Sequence, residues 1–329
     1  MLRSMYSGIS GLRNFQTKLD VIGNNIANVN THGFKKSRVI FKDLISQTQS
    51  GASGATATRG GVNPKQVGLG AQMAAIDTMH GGGSLQSTGI VLDLGIEGDG
   101  FFIVADSTGS GRDENGNIQP GDDDGAFTGL VYTRVGNFSM DNDGYLVNVD
   151  GKYLYGHANS TIYTKIEGIE GADPNDDKES SFDEDKGANG LTGTTGDLSG
   201  EDLELGPIRI PKDAESMSIG QDGTISYVDA AGSLQYAGQL IMGKFSNPGG
   251  LNKIGGNYYQ PTANSGEVLQ QVATVAGMGT VQSGWLEMSN VDLSEEFTEM
   301  IVAQRGFQAN TRIITTSDEI LQELVNLKR

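Results

Sequence analysis

His32, His80 and His157 are the only imidazoles in this 329-residue chain, and they stand far apart in sequence. Imidazole serves as general base and metal ligand near neutral pH. Metal sites built on it use paired ligands at short spacing, and no such pair occurs. With no cysteine, neither disulfides nor thiolate metal sites are available. Gly95-x-x-Gly98-x-Gly100 has the wrong glycine order for a dinucleotide loop and reads as a tight turn before Phe101-Phe102. There is no nucleophile elbow and no phosphate loop. Asp173, Asn175, Asp177 and Glu184 fall at positions 1, 3, 5 and 12 of a calcium-loop template, but position 6 is Lys178 instead of Gly, and flanking helices are not evident. Residues 167–204 hold thirteen acids and two bases, most of the net charge of −18. They read as a solvated loop or a small outer domain. The expectation is a protein with no catalytic residues, no cofactor and no specific metal.

The elements that organise such a chain lie at its ends. Leu293, Met300, Phe307, Ile314 and Leu321 recur every seven residues with no proline between them. That spacing marks one seam of a long α-helix. Asp292 and Ser294 can cap its start, and Glu295, Glu296 and Glu299 suit the positive end of the helix dipole. The companion seam, Phe297, Gln304, Thr311, Asp318 and Val325, is too polar for a two-stranded coiled coil. It suits a helix set among several neighbours. At the other end, Met5, Leu12, Leu19 and Ile26 form one seven-residue series, with Phe15, Ile22 and Val29 as its companion. The implied helix runs from about Leu2 to about Val29, roughly 40 Å. Gly8, Gly11 and Gly23 each cost it about 1 kcal/mol against Ala, so alone in water it is marginal. Both helices need partners, within one molecule or between copies. Charge favours contact between them: residues 1–38 carry +5 and residues 292–329 carry −3.

The first helix ends in Asn24-Asn25-Ile26-Ala27-Asn28-Val29-Asn30-Thr31-His32-Gly33-Phe34. Gly33 fits a helix C-cap. Asn24, Asn25 and Asn28 have donors and acceptors that could bridge to neighbouring backbone in a close bundle. This stretch, with Gly11-Leu12 ahead and Lys35-Lys36 behind, resembles the N-terminal signature of the bacterial flagellar axial proteins, the rod, hook and hook-associated subunits. Independently, Ser283-Gly284-Trp285-Leu286-Glu287-Met288-Ser289-Asn290-Val291-Asp292 resembles that family's entry to its last helix. Glu299-Met300-Ile301 and Gln304-Arg305-Gly306-Phe307-Gln308-Ala309-Asn310 resemble the core of that helix.

Between the ends, residues 35–79 read as an extended arm containing a Gly/Ala/Ser/Thr linker near Ser50. Strand patterns follow at residues 96–104 and 130–134, and again at 208–210, 217–219, 224–228 and 239–245. Asp143-Gly144 and Asp150-Gly151 fit type I′ hairpin turns. The expected class is therefore α+β: terminal helices forming a coiled-coil-like assembly domain (1–34 and 288–329), an arm (35–79 and 255–287), an antiparallel β domain (80–156 and 206–254) and an acidic insertion (157–205).

The resemblance implies a structural subunit that polymerises with itself, its helices lining the inner tube and its β domain facing out. It implies self-assembly residues Met5, Leu12, Phe15, Leu19, Ile22, Asn24, Asn25, Ile26, Asn28, Val29, Leu293, Phe297, Met300, Gln304, Phe307, Ile314 and Leu321. It also implies delivery by the flagellar type III export apparatus to an extracellular position, with Phe41 and Ile45 in the Phe-x-x-x-aliphatic form of an export signal. The first residues lack the apolar core of a cleaved secretory signal. No apolar run approaches the ~20 residues that span a bilayer, and the acidic balance argues against nucleic acid. The insertion favours a hook subunit, with the distal rod subunit, hook cap and hook-filament junction proteins as partners. A distal rod subunit is the alternative, and a secreted acidic adhesin or enzyme a more distant one.

Overall fold

The computed structural model describes residues 2–56, 58–107, 127–159, 203–230 and 232–327. The chain forms two compact units, one made of Met1–Thr31, Lys35–Gly81 and Ser289–Arg329, the other of His32–Phe34 and Gly82–Met288. The described residues are α+β, with a helix near each end and an antiparallel β-rich middle.

The first unit contains α1 (Leu2–Ala27), β1 (Ser37–Asp43), β2 (Ser46–Ser50), β3 (Lys65–Gly68), β4 (Ala71–Thr78) and α2 (Leu293–Asn326). α1 stops at Ala27, short of Val29. There the Asn28 amide is shared between the carbonyls of Asn24 and Asn25, and the Asn28 side chain turns back to donate to Asn24 O at 2.9 Å. Asparagine offers the backbone such alternatives to the helical ladder. The arm is not bare chain: β1 pairs antiparallel with β4, with an irregularity between Ile40 and Phe41, and β2 pairs with β3. Asp292 caps α2, its Oδ1 accepting from Ser294 N at 2.8 Å, and Glu295 and Glu296 occupy the first turn.

The second unit holds β5 (Leu85–Ser87), β6 (Leu94–Glu97), β7 (Phe101–Ser107), β8 (Phe127–Thr133), β9 (Ser139–Met140), β10 (Leu146–Val147), β11 (Tyr153–Asn159) and β12 (Leu203–Pro207). Next come β13 (Ser216–Ile219), β14 (Thr224–Val228), β15 (Leu234–Phe245), β16 (Asn252–Gly255), β17 (Tyr258–Gln260), β18 (Val268–Val272), β19 (Thr280–Ser283) and β20 (Trp285–Glu287). The main antiparallel sheet runs β13-β14-β15-β11-β7-β8-β17-β16. Residues 255–287, read from sequence as arm, carry strands of this unit.

Alternation along β7 explains the core. Successive side chains point to opposite faces of a sheet. Phe102 and Val104 join Leu94, Leu146, Leu154, Ile208, Leu240 and Met242 in one cluster, while Phe101 and Ile103 join Tyr132, Ile241, Phe245 and Tyr259 in another. The sheet is thus covered on both faces along β7.

The Asp-Gly pairs do make turns, but not of type I′, which needs positive φ at both central residues. Asp143 and Asp150 keep negative φ; only the glycines, at +86° and +77°, are left-handed. Gly144 N donates to Asp141 O, and Gly151 N to Asn148 O. Glycine therefore sits at the fourth position of a type I turn, the longer hairpin form.

Gly33 is not the helix cap either. It lies six residues past Ala27, donates to Glu287 O at 2.8 Å, and has the 134–135 backbone 2.9 Å from where a Cβ would stand.

Candidate assembly interface

α1 and α2 run antiparallel, in a register set by small residues. A Cβ on Gly11 would stand 2.8 Å from Asn310 Nδ2, and one on Gly306 would stand 2.5 Å from the Phe15 ring. Gly8 and Gly11, which weaken α1 as an isolated helix, let the pair approach, whereas Gly23 has nothing within 4 Å of its Cβ position. Lys18 forms an ion pair with Glu299, and Lys36 Nζ lies 2.6 Å from Glu295 Oε2.

At the far end of this contact sits Asn25, which is buried. Its Oδ1 accepts from Ser37 N at 3.0 Å, and its Nδ2 donates to Ser37 O at 2.9 Å and to Glu296 Oε2 at 3.2 Å. One side chain thereby ties α1, β1 and the first turn of α2. Asn290 performs a similar task, accepting from Lys36 N and donating to Met79 O, both at 2.8 Å. Asn24 and Asn28 bond to each other on the exposed side.

On α2 the buried residues are Glu296, Ala303 and Ser317. With the half-buried Met300, Asn310, Ile314 and Leu321 they form the face towards α1. The companion stripe read from sequence lies elsewhere: Phe297 is 49 % exposed, and Gln304 is exposed too. Leu293 and Phe307, although on the seven-residue series, are also exposed, as are Ile301 at 58 %, Val302, Ile313, Ile320 and Leu324. By the 100° step of a helix, Leu293, Phe297 and Phe307 fall on one flank of the face that meets α1 and Val302, Ile313, Ile320 and Leu324 on the other, while Ile301 lies on the far side. The hydroxyls of Thr298, Thr311 and Thr316 donate to carbonyls one turn back. Their donors are consumed within the helix. On α1, Ile22 is buried, Met5, Leu12, Phe15, Leu19 and Ile26 are half-buried, and Val29 lies in the turn beyond.

Phe41 lies half-buried in β1 and Ile45, 82 % exposed, follows it. Asp173, Asn175, Asp177 and Glu184 lie outside the described residues, as does most of the insertion. Among the described residues no group of three or more His, Asp or Glu could hold a metal ion, and no helix is long and apolar enough to cross a membrane.

Sequence reasoning missed one feature of the second unit. Arg134 and Glu287 form a fully buried pair, Nη1 to Oε2 at 3.2 Å. Arg134 Nη2 donates to Gly98 O at 2.8 Å, and Glu287 Oε1 accepts from Gly83 N at 2.8 Å. Nearby burial pushes the Tyr259 phenol well above its usual range. No local pattern marks this pair, because its members are 153 residues apart.

The described residues thus combine a β unit with buried apolar clusters and a helix pair whose apolar flanks are exposed. Three family models match it: "Flagella basal body rod protein" over residues 5–35, "Flagellar hook protein FlgE/F/G D1 domain" over 95–227, and "Flagellar basal body rod FlgEFG protein C-terminal" over 282–327. The flagellar basal-body rod protein FlgG of Bacillus subtilis (strain 168) is 50 % identical, with all of both chains covered. The flagellar hook protein FlgE and the rod protein FlgG of Borreliella burgdorferi are 35 % and 33 % identical, again over all of both chains. The chain belongs to the flagellar basal-body rod and hook protein family, structural components of the bacterial flagellum.

Proposed function

We propose that this chain is a distal rod subunit, polymerising with copies of itself through its terminal helices. The observation that carries the assembly reading is the apolar surface on both flanks of α2, which α1 does not cover. Burying a Leu, Ile or Phe contributes about 1.5–3 kcal/mol each, so several helices enclosing each α2 supply the drive for assembly. In this reading Met5, Leu12, Phe15, Leu19, Ile22, Ile26 and Val29 of the N-terminal segment and Leu293, Phe297, Met300, Gln304, Phe307, Ile314 and Leu321 of α2 are assembly residues. Asn24, Asn25 and Asn28 hold the end of α1.

Rod over hook is supported by the relatives. The 50 % identical rod protein aligns over 330 positions, whereas the 35 % identical hook protein needs 461, far more than this chain has residues. This reverses the order expected from the acidic insertion, which by itself does not separate the two. The hook stays as the second reading because hook proteins match over the full chain. Electron microscopy of cells lacking the gene separates them: a truncated rod is the expected result, and a finished rod without a hook would overturn it. Export by the flagellar type III apparatus, with Phe41 and Ile45 as signal, belongs to the same reading. Replacing both with Ala should retain the protein inside the cell.

A further inference from the structure

The two helices of the first unit differ in length: 26 residues in α1 and 34 in α2. Because Gly11 stands against Asn310 in an antiparallel register, Leu2 falls at about the level of Glu319. The rest of α2 runs past the start of α1. That overhang carries Ile320, Leu324, Val325 and Leu327, all exposed, the last at 82 %. Leu324 and Val325 border the continuation of the stripe that faces α1 earlier in the helix. Glu319 and Glu323 lie beside them.

At the other end of the same helix pair is a cleft of about 240 Å³ between α1, the start of β1, the end of β4 and the first turns of α2. Val21, Ile22, Val39 and Met79 give it an apolar lining, and Lys18, Lys36 and Arg38 bring positive charge. Glu295, Glu296 and Glu299 also line it, the outer two engaged by Lys36 and Lys18 and Glu296 bonded by Asn25. Arg38 reaches Asp77 only at 3.9 Å and is largely exposed, so it can take a further acid. The volume lies below the ~300–1,000 Å³ of small-molecule sites and suits one or two aliphatic side chains.

We propose that this cleft receives the overhanging end of α2 from a second copy of the chain. Leu324 and Leu327, one turn apart, enter the apolar lining, and Glu323 meets Arg38. Cleft and tip lie about 25 residues apart along α2, roughly 38 Å, so they cannot meet within one molecule. A contact between two different surfaces repeats head to tail and builds a filament. The proposal rests on the assembly reading above and specifies which surfaces meet along the axis.

The chain has no cysteine, which makes disulfide trapping clean. In the double variant Met79→Cys/Leu324→Cys, mild oxidation of assembled material should give a ladder of covalent dimers, trimers and higher species, since a disulfide needs Cα atoms within about 7 Å. Each single variant should stay monomeric on a denaturing gel. Dimers from Leu324→Cys alone would show tips meeting tips and overturn the proposal. Tubes that form without a ladder would overturn it while leaving the assembly reading intact. Failure of the unsubstituted chain to assemble would remove both. Should the double variant alone fail to assemble, Val39→Cys/Leu327→Cys makes the same test, and absence of its ladder in tubes counts equally against the contact. Leu324→Asp should raise the critical concentration for assembly about tenfold or more while helix content is unchanged, and a wild-type value would refute the contact.

Discussion

The strand Phe101–Ala105 and the helix α2 are both rich in apolar residues, yet they treat them in opposite ways. Every residue from Phe101 to Ala105 is buried, with alternate side chains feeding two separate clusters. In α2 the buried positions are Glu296, Ala303 and Ser317, while Phe297, Ile301 and Ile313 face outward. The strand spends its apolar side chains on the interior of its own unit. The helix pair makes close contacts through glycine, asparagine and a carboxylate, and leaves Phe297, Ile301, Val302 and Ile313 exposed. A fold of the first kind is stable alone, and one of the second kind is completed by neighbours.

The contrast can be broken by substitution, most severely in the β unit. Arg134→Met removes the guanidinium from the buried pair with Glu287, and removing one member of such a pair costs about 3–5 kcal/mol. Thermal melting followed by the β signal should fall sharply. Leu240→Ala, at a fully buried position, should cost about 2–5 kcal/mol by the same measurement. In the helical unit, Asn25→Ala strands the Ser37 backbone and one oxygen of Glu296, for about 1–3 kcal/mol. That loss should appear in helix content, with the β transition unchanged. An equal loss in both signals would mean that the two units fold as one.

A smaller effect comes from pH. Burial holds the His157 imidazole below its usual value of 6.5. Above that value the folded and unfolded chains are both neutral and the group contributes nothing. As pH falls through it, the unfolded chain takes up the proton first, so the β unit loses stability until the folded imidazole also protonates. His157→Gln should flatten that part of the stability profile. Smallest of all is Phe297→Ser, at an exposed position. Monomer stability should move by no more than about 0.5 kcal/mol, while assembly weakens. A large loss in the dilute monomer would show that Phe297 is already covered there.

How far these features can be read in advance depends on how local they are. The seven-residue series at both ends, the Asp292 cap and the turns at Gly144 and Gly151 are legible because each is set within a few residues. The companion stripe of α2 is a harder case. The seven-residue spacing pairs the series with Phe297, Gln304, Thr311, Asp318 and Val325, but α1 meets Glu296, Ala303, Asn310 and Ser317. Periodicity shows that a helix has a second stripe; it does not say which stripe meets which neighbour. The choice follows from Gly11 and Gly306, whose missing side chains admit Asn310 and Phe15. The same limit explains why Asp-Gly announced the turns but not their type, which depends on the φ of the aspartate.

What the amino-acid order determined alone was therefore the inventory: two long amphipathic helices, an antiparallel middle, an acidic insertion and the terminal motifs of a flagellar axial subunit. Periodicity, capping and turn chemistry act over a few residues, so they survive without a fold. Only the tertiary structure decided that Asn25 would join Ser37 to Glu296, that Arg134 would be sealed against Glu287, and that α2 would outrun α1. Those outcomes depend on groups far apart along the chain, whose approach is settled by packing and the satisfaction of buried polar atoms.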